Sequence, residues 1–114
     1  FIDHVISTSM SQQQQLLRQQ LTIPQILRTY GKQFRQITER YSDGGNGRCA
    51  LGVIMSYYGW NGKDDFQATS KLLGTLIALR CAGVDKNLLI EMNDSGLSFN
   101  EIADYLDKIG GSKY

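Results

Sequence analysis

The sequence predicts an all-α protein, a compact orthogonal bundle of five or six helices joined by short Gly-rich loops. Three observations carry that expectation. Apolar residues recur at the helical period between Ile23 and Tyr41. Helix stop and start signals punctuate the second half of the chain at Gly83, Asp85, Gly96 and Ser98. No stretch of useful length alternates apolar and polar residues with the period of two that marks a strand.

The 114 residues amount to one domain, and an apolar fraction of 41% is adequate for a single core. The division expected is an N-terminal arm or peripheral helix over residues 1–21 and a single helical domain over residues 22–114. The first residue is Phe, so Met10 is a candidate natural start, with residues 1–9 upstream or vector-derived. Residues 11–20 are glutamine-rich, and Leu16, Leu17 and Leu21 give only a thin apolar stripe. A short helix or a frayed arm is expected there.

Residues 22–41 read as one amphipathic helix. Ile23, Ile26, Leu27, Tyr30, Phe34, Ile37 and Tyr41 fall along one side. Thr22 is placed to cap it, and Pro24 sits in the first turn, where a missing N–H is harmless. Arg28, Lys32 and Arg35 line the opposite face, with Glu39 at the right spacing to pair with Arg35. Residues 42–47, Ser-Asp-Gly-Gly-Asn-Gly, form a loop. Residues 48–58 are apolar nearly all round, which fits a central buried helix or a buried strand. Their length, with Ala50 and Gly52, favours the helix. After a second loop, Asp64 or Asp65 caps a helix that Gly83 ends. Asp85 starts the next, closed by Gly96, and the last runs over residues 98–109.

The stretch around Gly96 is the most fully specified. Ser98-Phe99-Asn100-Glu101 is a capping box, with Leu97 and Ile102 positioned as a hydrophobic staple. Two functional motifs overlap it, and neither survives a count. A calcium loop with Gly96 at its sixth position would need a bidentate glutamate where Ile102 stands. The run Gly96-x-Ser98-x-x-Glu101-Ile102-Ala103-x-x-Leu106 resembles the supporting helix of helix-turn-helix domains, yet no separate recognition helix follows it.

Other chemistry is thinly represented. Two cysteines, Cys49 and Cys81, make neither a disulfide framework nor a metal site, and the only histidine is His4. Cys49 follows a glycine loop beside Arg48, a setting that could lower a thiol pKa; the alternative is a buried core thiol. Gly47 and Gly52 have the spacing of a phosphate loop, but Val53-Ile54 stand where Lys and Ser/Thr belong. No catalytic residue, metal or cofactor is therefore assigned. No run is long and apolar enough to cross a membrane, and no signal peptide is evident. Localisation is expected to be cytoplasmic.

A wider pattern covers roughly residues 47–106. Cys49-Ala50-Leu51-Gly52, followed by Asn93-Asp94 and then Ser98-Phe99-x-Glu101-Ile102, resembles small uncharacterised bacterial and archaeal helical proteins that pair a C-A-L-G helix with a later N-D-x4-S/T-F-x-E-I segment, though here three residues, Ser95-Gly96-Leu97, separate Asp94 from Ser98. The resemblance implies a helical fold and no established activity.

The net charge of +1 implies neither nucleic acid nor an anionic surface. It is unevenly spread, with five basic residues against two acidic up to Tyr41 and seven against nine beyond. The function expected is a non-enzymatic domain for protein–protein interaction or self-association. Tyr58 and Trp60, in the densest aromatic cluster, are the candidate partner-binding residues, though such residues also end ordinary core helices. The alternative is a DNA-associated regulator acting through Arg28, Lys32 and Arg35, which also fit a solvated face. Gly96, Ser98 and Glu101 are assigned to capping alone.

Overall fold

A computed structural model describes residues 21–110. The expectations for residues 1–20, and for the four residues after Gly110, lie outside the described part. Five α-helices dominate the described residues: α1 Ile23–Thr29, α2 Ala50–Tyr57, α3 Asp65–Ala82, α4 Lys86–Asp94 and α5 Phe99–Gly110. Between α1 and α2 lie a 3-10 turn, Tyr30–Gln33, and two short strands, β1 Arg35–Gln36 and β2 Gly47–Arg48. The strands pair in parallel, Arg35 opposite Gly47 and Gln36 opposite Arg48. The fold is therefore mostly helical, with a two-stranded element that no alternation in sequence announced.

Helix α2 is the central pillar. Every residue from Ala50 to Ser56 is buried, and the helix touches α1, the 3-10 turn, α3 and α4. Helix α1 lies chiefly along α5, where Ile26, Leu27, Ile102, Ala103 and Leu106 are all fully enclosed. The Arg28 guanidinium spans Asp104 and Asp107 across this seam, at 2.6 Å to each. Those hydrogen bonds hold the Arg28 pKa above its ordinary value. At so exposed a site they orient the helices more than they stabilise them.

Most helix ends fall where local chemistry puts them. Thr22 and Gln25 form a reciprocal capping box ahead of α1, with Pro24 in its first turn. The Asp64 carboxylate accepts from the N–H groups of Phe66 and Gln67, and Gly83 ends α3 in the left-handed conformation at φ 75°. Asp85 caps α4 through the Asn87 N–H. Beyond α4, the Leu97 N–H returns to the Met92 carbonyl. Ser98 and Glu101 then exchange hydrogen bonds of 3.0 and 3.1 Å to start α5.

One expectation fails. The amphipathic pattern of residues 22–41 predicts a single helix, but α1 stops at Thr29 and the chain leaves helical geometry at Phe34. Gly31 is buried beneath Phe99, so close that an added Cβ would stand 2.9 Å from its ring. Phe34 turns extended (φ −122°, ψ 147°), which lays its ring over the Arg48 guanidinium. The N–H groups of Arg35 and Ile37 then bond to the carbonyls of Asn46 and Arg48, each at 3.0 Å, in place of helical partners. Glu39 adopts φ +70° and pairs with nothing on Arg35, which instead binds Asp43. The apolar positions still face inward. Their spacing recorded burial correctly and misreported the backbone.

Candidate functional site

The two halves of the C-A-L-G and N-D pattern meet at the start of α2. Cys49 is the N-cap of that helix, its sulfur accepting from the Gly52 N–H at 3.4 Å. The next free helical N–H, that of Ala50, donates to Asn93 Oδ1 at 3.0 Å, a cap supplied from α4 rather than from local sequence. Asn93 is 1% exposed. Its Oδ1 also accepts from Gln36 Nε2 (2.8 Å), and its Nδ2 donates to the Ile37 carbonyl (2.8 Å) and the Asp94 carboxylate (3.4 Å). One amide thus fastens α2, α4 and the end of β1 together. Gly52 is required here because a Cβ would overlap the Tyr41 carbonyl oxygen.

Beside this knot lies a cleft of about 470 Å³ lined by Glu39, Arg40, Tyr41, Cys49, Leu51, Ile90, Asn93 and Asp94. Its chemistry is mostly turned inward. Asp94 accepts from the Glu39 N–H at 3.3 Å, and the Asn93 amide is already engaged. The Cys49 thiol is buried, and burial pushes its pKa up, with the Asp94 charge adding to the rise. A nucleophilic thiol needs the opposite shift and a nearby base. Cys49 is therefore expected to resist alkylation at mildly alkaline pH while exposed Cys81 reacts readily. Unfolding should release Cys49. The folded protein holds this thiol protonated above the ordinary range near pH 8.5, so its contribution to stability fades as pH rises beyond that point. Mass spectrometry of labelled peptides checks this, and rapid native labelling of Cys49 would contradict it.

A second polar cluster was not foreseen. Arg48 is 4% exposed yet forms no ion pair among the described residues. Its guanidinium donates to the hydroxyls of Ser56 and Ser42 and to the carbonyls of Gly45, Gly47 and Asn61. Phe34 and Trp60 flank it, with ring centroids 4.6 and 5.7 Å from Cζ. Burial lowers the Arg48 pKa, offset by the Asp43 charge. Asp43 in turn is held below the usual carboxylate range by the N–H groups of Gly45 and Gly47, with Arg35 assisting.

These contacts correct the partner-binding assignment. Trp60 is 7% exposed and its indole N–H donates to the Asp64 carbonyl, so it is a core residue. Tyr58 is half-buried with its hydroxyl pKa raised by burial, and its ring meets Tyr57 edge-on at 5.2 Å. Arg28, Lys32 and Arg35 do not form one helical stripe. They sit on α1, the 3-10 turn and β1, and Arg28 and Arg35 already face carboxylates. Gly96 (φ 103°), Ser98 and Glu101 serve capping, as their spacing indicates.

The exposed apolar surface lies elsewhere, on α3. Phe66 is 93% exposed, Leu73 61% and Ile77 56%. At about 100° per residue the three fall within some 40° of one line. Thr69, Ser70, Leu72, Leu73, Leu76 and Phe66 bound a shallow apolar groove of about 580 Å³ along the same helix. Only Thr75 and Leu79 of α3 are fully buried, and its substantial packing is against α2 alone. No known protein family, curated protein or solved structure matches this chain. Its function must therefore be argued from these surfaces. Among the described residues no cluster of three or more His, Cys, Asp or Glu could hold a metal ion, and no helix is long and apolar enough to cross a membrane.

Nothing in the sequence of Phe66, Leu72, Leu73, Leu76, Ile77 and Leu79 says which of them a neighbour covers. They occupy more than one side of the helix. A helix apolar on two sides with a single neighbour must leave one side open, and that surplus was the available signal.

Proposed function

We propose that this chain is a protein-interaction domain whose contact surface is the outer face of α3. The observation that carries the reading is the alignment of exposed Phe66, Leu73 and Ile77 on a helix whose outer face the described residues leave uncovered. Isolated exposed apolar residues are ordinary, whereas a contiguous file of large ones marks a surface that another molecule covers. Burying such side chains is worth about 1.5–3 kcal/mol each, ample to drive association. The orthogonal arrangement of the helices belongs to the same proposal, since it leaves α3 free on one side. So does the pairing of Cys49-Ala50-Leu51-Gly52 with Asn93-Asp94 as one structural unit, which the Ala50–Asn93 hydrogen bond supports.

The DNA-associated reading has less support. Two of its three bases are engaged by Asp43, Asp104 and Asp107, and Lys32 alone is a small electrostatic footprint.

A photo-crosslinking side chain placed in turn at Phe66, Leu73 and Ile77 tests the proposal in cells producing the chain. Adducts are expected from these positions and not from Lys108 on α5. A further Leu76→Glu substitution should suppress them. Equal yields from all four positions, or none from any, would sink the assignment.

A further inference from the structure

The α3 face also indicates what covers it, an inference that rests on the preceding reading and names its partner. The face is bare of charge along its length and carries opposite charges at its two ends. Asp65 is the first residue of α3 and Arg80 lies in the last turn, both exposed. Neither forms an ion pair among the described residues, unlike Arg28 and Arg35. Lys71, the remaining charge on the helix, points to the far side by helical phase, about 140° from Phe66. Asp65 and Arg80 lie on the same flank of the Phe66–Leu73–Ile77 file.

We propose that α3 pairs with α3 of a second copy of this chain, antiparallel, about a two-fold axis beside Leu73. A two-fold brings each residue of the patch against its reciprocal in the partner. Counting outward from Leu73 sets Leu73 against its own copy and Phe66 against Arg80. In that arrangement equivalent flanks meet, so Asp65 of each copy, one position out of register, comes beside Arg80 of the other at both ends. A parallel pair would bring Asp65 level with Asp65 and Arg80 level with Arg80 on opposite flanks and would pair no opposite charges, and an unrelated partner would have no reason to match this reversal. Thr69, Ser70 and Gly74 keep the middle of the face shallow, and a Cβ at Gly74 would meet nothing within 4 Å. Two backbones can approach closely there. Phe66 of one copy then lies beside the Arg80 guanidinium of the other, a favourable stacking partner.

Light scattering and sedimentation of the purified full chain across a wide concentration range decide the matter. A reversible dimer is expected. Leu73→Glu should weaken it about 100-fold while leaving helical circular dichroism unchanged, because the side chain is exposed within one copy. Asp65→Lys and Arg80→Glu should each weaken it several-fold, and the two together should restore it. In a Cys81→Ser background, Leu73→Cys should form an interchain disulfide on mild oxidation. A monomer at every concentration overturns the pairing, as does a dimer indifferent to Leu73→Glu. A double reversal no stronger than either single overturns the antiparallel order. Should the monomer result coincide with position-specific crosslinks from Phe66, Leu73 and Ile77, another protein or residues 1–20 of the same chain covers the face. The interaction reading then stands without this partner.

Discussion

Replacing Asn93 with alanine should destabilise the protein by about 3 kcal/mol or more, since each buried polar group left unpaired costs about 1–3 kcal/mol. The substitution deprives the Ala50 N–H and the Ile37 carbonyl of their partner, and Gln36 Nε2 keeps only the Leu97 carbonyl. It also leaves a void at a site 1% exposed. Guanidinium unfolding followed by circular dichroism measures the loss. Asn93→Asp separates the contributions, because a carboxylate can still accept from Ala50 but cannot donate to Ile37, and it buries a charge beside Asp94. It should be no better than alanine. Gln36→Ala should lose less, since Asn93 would keep both α2 and Ile37. A loss near that of an ordinary surface change would mean the amide does not hold α2 in place.

That residue also marks how far the sequence can be read. Features set by neighbours within four or five positions were legible: the Ser98–Glu101 box, the Asp64 and Asp85 caps, the stops at Gly83 and Gly96. Each depends on one turn of backbone and on side chains that cannot avoid each other. Asn93 and Asp94 looked like the end of a helix, which they are. That the Asn93 amide also caps a helix 43 positions earlier was not legible, because the contact exists only after α2 and α4 have packed. The parallel pair of strands was hidden for a related reason. Two residues per strand are too few to show an alternation, and the pairing follows from Phe34 and Ile37 being drawn toward Arg48. The same limit applies to α3. Its leucines and isoleucine carry identical local information whether a neighbour covers them or not, so exposure of Leu73 and Ile77 became evident only once the described residues were seen packed around α3.

Arg48 makes the second large effect calculable. A guanidinium buried without a carboxylate would ordinarily be untenable, since removing a charge from water costs several kcal/mol. Here three backbone carbonyls, two hydroxyls and two aromatic faces replace its hydration, and Arg48 holds the loop around Asp43 and the chain at Asn61 to the start of α2. Arg48→Met keeps the apolar stem and removes every donor. A destabilisation of about 3–5 kcal/mol is expected, comparable to breaking a buried charged network. Arg48→Lys should recover little of it. An ammonium has three donors at one point, whereas the partners are spread around a planar fork, and it stacks poorly between Phe34 and Trp60. Because guanidinium does not titrate in the accessible range, the deficit of Arg48→Met should be nearly independent of pH around neutrality. Trp60 supplies a direct readout, being the only tryptophan in the chain. Its emission should shift to the red in both variants as its cover loosens. If Arg48→Lys matched the wild-type chain in both midpoint and emission, the fork would be dispensable. The buried cation would then be tolerated for its charge alone.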